Sequence, residues 1–95
     1  MDEQNYKAFW NEALHLIHEE YKQQGKETEF EIWFKMEYIK DTLKEITVSV
    51  PSNFMWTRMV SMGYVKAVQD KIYELTGQQV NLTYVPKNVF TDTNK

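Results

Sequence analysis

The sequence contains no cysteine, which excludes a disulfide framework, a thiolate zinc site and a cysteine nucleophile. Its three glycines, Gly25, Gly63 and Gly77, are isolated from one another, so a glycine-rich phosphate loop is absent. No apolar stretch approaches the roughly 20 residues that a membrane-spanning helix needs. The first five residues are acidic and polar, unlike the basic start of a secretory signal. We therefore expect a cytoplasmic protein that contacts no membrane.

Basic residues are fewer than acidic ones: the chain has 11 Lys and Arg and 14 Asp and Glu, which give a formal charge of −3. This balance is opposite to that of a domain whose main work is to neutralise phosphates, so we expect nucleic-acid binding to be weak or absent. What the chain does contain is apolar and aromatic area, at 42% and 15% of its 95 residues. That content supports one folded domain and leaves no room for two.

Hydrophobic periodicity divides the chain into helices and strands in the order α-α-β-β-α-β. The segments are a helix over 6–24, a short helix from Thr28 with a Thr28-x-x-Glu31 capping box, strands over 36–41 and 46–50, a long helix from Phe54 to Thr76, and a strand over 80–85. The pattern predicts an α+β fold in a single domain over residues 1–85, with a three-stranded sheet packed against helices, and this order is compatible with the KH-like arrangement. The polar residues 86–95 are predicted to be a tail that begins a flexible linker.

The long helix contains an irregularity. Met55, Met59 and Met62 form one stripe, while the apolar residues after Gly63 form another that faces elsewhere on an unbroken helical wheel. A kink or bulge at Met62-Gly63 would bring the two stripes onto one face, and we predict such a distortion. The alternative is a straight helix with an exposed methionine face.

Little in the sequence suggests catalysis or a cofactor. His15 and His18, near Glu12 and Glu19, have the spacing of a metal-ligand pair on one helix but lack a third convergent ligand, so we expect solvated histidines and no metal site. The carboxylates are spread over helix surfaces, with no pair placed for acid–base chemistry. We expect no catalytic residue, no cofactor and no enzymatic activity in this segment.

The remaining candidates are anchors for other proteins, because apolar or aromatic residues beside charges are typical of interaction hot spots. On the first helix these are Phe9, Trp10 and Leu16; Glu29 begins the second helix, and Asn53-Phe54 begins the third. Each has a structural alternative. Trp10 lies near the core stripe and is expected to be partly buried, Glu29 is suited to the helix dipole, and Phe54 is apolar enough to close the core over the sheet.

Four short motifs containing these residues resemble, in order and spacing, the N-terminal domain of the DnaA family of bacterial replication initiators. They are Phe9-Trp10-Asn11-Glu12-Ala13-Leu14, Thr28-Glu29-Phe30-x-x-Trp33, Ile46-Thr47-Val48-x-Val50-Pro51-x-Asn53-Phe54 and Ile72-Tyr73-Glu74-Leu75-Thr76-Gly77. The resemblance covers about residues 6 to 85 and implies a KH-like domain. One extra residue near Gly63 departs from the family pattern.

The resemblance also implies a function. In that family this domain joins initiator molecules to each other and recruits the replicative helicase and regulatory proteins, while ATP is hydrolysed by another domain. By similarity, Trp10 takes the self-association role, with Phe9 and Leu16 beside it. Glu29 contacts the helicase, Phe54 contacts the helicase or a regulator, and Ser52 and Asn53 adjoin that site. The alternative is a degenerate KH-like module that weakly binds single-stranded nucleic acid, although the Gly-x-x-Gly loop of KH modules is missing.

Overall fold

A computed structural model describes residues 6–42 and 44–87 and confirms the α+β class. Four helices and three strands lie in these ranges, in the order α1 (Lys7–Gln23), α2 (Glu27–Trp33), β1 (Glu37–Asp41), β2 (Glu45–Val50), α3 (Asn53–Ser61), α4 (Tyr64–Thr76) and β3 (Asn81–Pro86). Compared with the predicted order, one additional helix is present, because the long third helix is divided into two.

The sheet has the strand order β1-β2-β3, with β2 in the centre. Strand β2 is antiparallel to β1 and parallel to β3, so α3 and α4 form the connection that parallel pairing requires. The register of β1 shifts between Tyr38 and Lys40 and leaves the exposed Ile39 as an additional residue. This bulge corrects the strict alternation predicted for 36–41, since Tyr38 and Asp41, three residues apart, are both half-buried.

The core lies between the helices and one face of the sheet. Its largest fully buried side chains come from every layer: Trp10 of α1, Ile46, Val48 and Val50 of β2, Met59 of α3, and Val68 and Ile72 of α4. On the opposite face of β2 the side chains are partly exposed, and the Thr47 hydroxyl lies 3.1 Å from that of Thr83. The alternation that predicted β2 therefore also determines which of its side chains the helices cover.

The predicted distortion at Met62-Gly63 is confirmed and is a complete break. Helix α3 ends at Ser61, Gly63 has a φ of +86°, and α4 begins at Tyr64. An L-residue in this left-handed region costs about 1–2 kcal/mol, which explains a glycine at this position. The straight-helix alternative is wrong, since the break allows Met59 and the apolar face of α4 to enter the same core. Met62 itself remains exposed.

Helix α2 begins one residue earlier than predicted, and the capping box is wrong. Lys26 occupies the N-cap position, no side chain among the described residues caps the helix, and Thr28 lies inside it. Aromatic packing holds α2 instead. The ring of Phe30 stacks on Phe34 with centroids 4.8 Å apart, and Phe34 meets Tyr21 of α1 edge-on at 5.5 Å. Tertiary contacts therefore replace the local capping signal.

Strand β3 extends to Pro86, one residue past the predicted end of the domain. The predicted tail over 86–95 lies mostly outside the described residues, and the linker stays a prediction. None of the helices within the described ranges is long and apolar enough to cross a bilayer.

Candidate protein-interaction site

The start of α3 is fixed by three contacts. Ser52 is its N-cap, with an extended backbone and a hydroxyl oxygen that accepts the Met55 N–H at 3.1 Å. The Tyr84 hydroxyl of β3 donates to Asn53 Oδ1 at 2.8 Å, and the Trp56 ring stacks on Tyr84 with centroids 4.6 Å apart. Of the two residues predicted to adjoin a partner site, Ser52 thus caps the helix and Asn53 links its start to the sheet.

Phe54 projects from this braced position into solvent. Its side chain is 70% exposed, the highest value among the exposed large hydrophobic residues of ranges 6–42 and 44–87. The alternative that it closes the core is therefore wrong. A phenylalanine left in water forgoes about 1.5–3 kcal/mol that burial would provide. Such a residue on a rigid base is the typical anchor of a protein interface.

Glu29 joins α2 to α4. Its carboxylate accepts a hydrogen bond from the hydroxyl of Tyr64, the first residue of α4. The pKa of Tyr64 is raised to about 12, mainly because of its burial and, to a lesser extent, because of this hydrogen bond. Glu29 also lies in the first turn of α2, where a negative charge suits the helix dipole. The link to Tyr64 had no sequence signal, because the two residues are 35 positions apart.

The self-association candidates on α1 divide into a buried and an accessible part. Trp10 is only 2% exposed and belongs to the core, so its burial is more complete than the partial burial expected. Phe9 is 41% exposed, and Leu16, two turns further along the helix, is half-buried. The surface of α1 therefore offers Phe9 and Leu16 to a second copy, and the self-association role stays a prediction.

His18 corrects the expectation of a solvated side chain. Its ring stacks on Phe30 with centroids 4.3 Å apart, and its Nε2 lies 2.9 Å from the Glu27 carboxylate. With Glu31 these residues place three ligand atoms within 4.8 Å of one another, a donor set able to hold a divalent cation. His15, exposed on α1, is not part of this group. The i, i+4 spacing of Glu27 and Glu31 was the missed signal, and the absence of a metal site stays a prediction.

Comparison with known proteins supports the resemblance found in the motifs. No family model matches the chain. The whole chain aligns with the chromosomal replication initiator protein DnaA of Treponema denticola at 31% identity over 97 positions. The chain is therefore similar to the N-terminal part of DnaA. It spans 20% of the length of that relative.

Three lysines of the described residues, Lys66, Lys71 and Lys87, each pair with carboxylates. The Glu20 hydrogen bond is the main reason that the pKa of Lys71 is raised. The pairs are Lys66 with Asp70, Lys71 with Glu20 and Glu74, and Lys87 with Glu37. This pairing weighs against the nucleic-acid alternative.

The raised pKa values of two tyrosines predict a loss of stability in alkali. Burial and hydrogen bonds raise the pKa of Tyr38 and Tyr64 from 10.0 to about 12. Between these values the folded chain keeps protons that the unfolded chain releases, so the free energy of unfolding is expected to fall as the pH rises from 10 to 12. The raised pKa of Lys71 acts in the same direction. Urea denaturation at several pH values checks this, and each of Tyr38→Phe and Tyr64→Phe should reduce the slope; a flat wild-type profile would contradict it.

Proposed function

We propose that this chain is a protein-interaction domain of a replication initiator, which recruits the replicative helicase and regulatory proteins and associates weakly with itself. The similarity to the N-terminal part of DnaA supports the initiator assignment. The recruiting role rests on the exposure of Phe54, whose aromatic ring is largely in solvent. The helix start that carries this ring is fixed by the Ser52 N-cap and by the hydrogen bond between Tyr84 and Asn53. Because the helix start is ordered before a partner arrives, binding through Phe54 requires little further ordering of the backbone.

The proposed partner contacts are the ring of Phe54 on α3 and the carboxylate of Glu29 on α2. An apolar pocket is the complement of the ring, and a lysine or arginine is the complement of the carboxylate. Contacts that depend on so few side chains are individually weak. They gain strength when several initiators are held together by their other domains, because linked contacts raise the effective concentration of one another.

Self-association is assigned to the accessible part of α1, around Phe9 and Leu16. Trp10 contributes from the inside by fixing α1 on the core, because its side chain is nearly fully enclosed. A second copy meets Trp10 itself only if the core opens. The interface is therefore small and its affinity low.

Titration of the ¹⁵N-labelled chain with the replicative helicase of the same organism tests the recruiting role. Chemical shift changes are expected around Phe54 and Glu29. Each of Phe54→Ala and Glu29→Ala should weaken binding about 10-fold or more, because hot-spot truncations cost roughly 2 kcal/mol. Val60→Ala is the matched control, since Val60 lies near the other end of α3 and is 51% exposed. Glu12→Ala, on the exposed side of α1, is the control for charge.

Two outcomes oppose the proposal. An absence of shift changes at high helicase concentration would show that the chain alone does not recruit the helicase. If Val60→Ala weakened helicase binding as much as Phe54→Ala does, Phe54 would not be a specific anchor. The nucleic-acid alternative is tested with oligothymidylate in place of the helicase, where phosphate-driven binding would fall steeply with added salt.

A further inference from the structure

Tyr64 is a buried residue whose polar end reaches a surface carboxylate. It is only 6% exposed, and its ring packs against Phe34 edge-on at 5.1 Å and stacks on Trp33 at 6.1 Å. Its hydroxyl donates to Oε2 of Glu29. The ring is thus held by aromatic residues at the C-terminal end of α2, while its hydroxyl holds a charged group in the first turn of the same helix.

The break between α3 and α4 determines this placement. Because Gly63 adopts a left-handed backbone, the chain turns after α3, and α4 starts at Tyr64. Tyr64 is thereby at the first position of α4, facing α2 through both Trp33 and Glu29. The break thus has a local consequence for Glu29 in addition to aligning the apolar faces.

A glutamate that is free in water samples many rotamers, and fixing it on binding has an entropic cost. The hydrogen bond from Tyr64 fixes Glu29 before a partner arrives. A carboxylate has two oxygens and about four acceptor positions, so the single hydrogen bond from Tyr64 to Oε2 does not exhaust the acceptor capacity of Glu29. A hydroxyl donor also leaves the negative charge intact for a cationic partner.

We propose that Tyr64 is a positioning residue that holds the Glu29 carboxylate in the orientation that receives a lysine or arginine of the partner protein. This inference rests on the function proposed above and adds to it a residue that touches no partner atom. It also identifies the cation as the chemistry that Glu29 selects in the partner.

Replacing Tyr64 with phenylalanine keeps the ring packing and removes only the hydroxyl. Helicase binding by Tyr64→Phe is expected to be about 3- to 10-fold weaker, the loss that corresponds to one freed side chain. Tyr73→Phe is the matched control, because Tyr73 lies on the same helix with its ring exposed. Its binding should equal that of the wild type.

A double-mutant cycle separates positioning from a general structural effect. If Tyr64 acts through Glu29, Tyr64→Phe should weaken binding in the wild-type background and change nothing further in a Glu29→Ala background. Side-chain scalar couplings of Glu29 provide a readout without partner, with one rotamer expected in the wild type and averaged values in Tyr64→Phe. Should Tyr64→Phe fail to fold, Glu29→Asp keeps the charge, shortens its reach to Tyr64 and should show the same loss.

The outcomes are distinguishable. No helicase binding by the wild-type chain would overturn the proposed function and this inference together. Binding that Glu29→Ala weakens but Tyr64→Phe leaves intact would overturn the inference alone. Equal losses from Tyr64→Phe in both backgrounds would do the same, because they would show that Tyr64 acts independently of Glu29.

Discussion

Trp10→Ala is expected to lower the free energy of unfolding by about 3–5 kcal/mol, the usual cost of truncating a large buried aromatic residue. The side chain is 2% exposed and lies in the same core as the central strand and α4. Domains of this size have only about 5–14 kcal/mol of total stability, so the variant would lose a large share of it. Urea denaturation followed by circular dichroism measures the loss.

Phe9→Ala is the control on the neighbouring, exposed position, and its cost should stay below about 1 kcal/mol. A Trp10→Ala variant with stability within 1 kcal/mol of the wild type would contradict the core assignment. The comparison bears on self-association. Loss of dimers in Trp10→Ala would follow from unfolding, whereas loss in the folded Phe9→Ala would report on the interface itself.

Asp41→Ala is expected to cost about 2–3 kcal/mol, because one carboxylate serves two donors. Its Oδ2 accepts the Tyr6 backbone N–H at the start of α1 and the Tyr38 hydroxyl on its own strand. Removing the side chain leaves both half-buried donors without that acceptor, and it removes a negative charge next to the N-terminus of α1. Chemical denaturation at pH 7 gives the difference in the free energy of unfolding.

Two further variants provide comparison values for the stability loss of Asp41→Ala. Tyr38→Phe removes one of the two hydrogen bonds and should cost less than Asp41→Ala. Asp70→Ala removes an exposed carboxylate that pairs with Lys66 on α4, and its cost should stay below about 0.5 kcal/mol. An Asp41→Ala variant as stable as Asp70→Ala would show that the link between α1 and β1 contributes little.

The sequence predicted the elements whose signals are local and repeated. The stripe of α1 and the alternation of β2 each repeat over several residues, and each was placed within about two residues. The phase change at Gly63 was also visible, because two regular stripes could not share one straight helix. The capping box before α2 failed, since a single short motif competes weakly with aromatic packing that is formed with distant residues.

The candidate site was predictable to the same extent. Phe54 was a candidate because an apolar residue beside a polar one at a helix start is a local signal, yet only the fold shows that its ring is exposed. Glu29 was a candidate from its place at the start of the second helix, and its helicase role and that of Ser52 came from the family resemblance. The partner of Glu29, Tyr64, was missed. The bulge at Ile39 was missed because it depends on pairing with β2.

The sequence by itself determined the α+β class, the faces of the helices and central strand that become core, and the position of the helix break. These properties follow from periodicity and from the backbone preferences of glycine, which act within a few residues. Only the tertiary structure decided that Trp10 is enclosed, that Phe54 is exposed and that Glu29 is held by Tyr64. Each of these depends on which distant elements pack together, and burial and hydrogen-bond partners are properties of that packing.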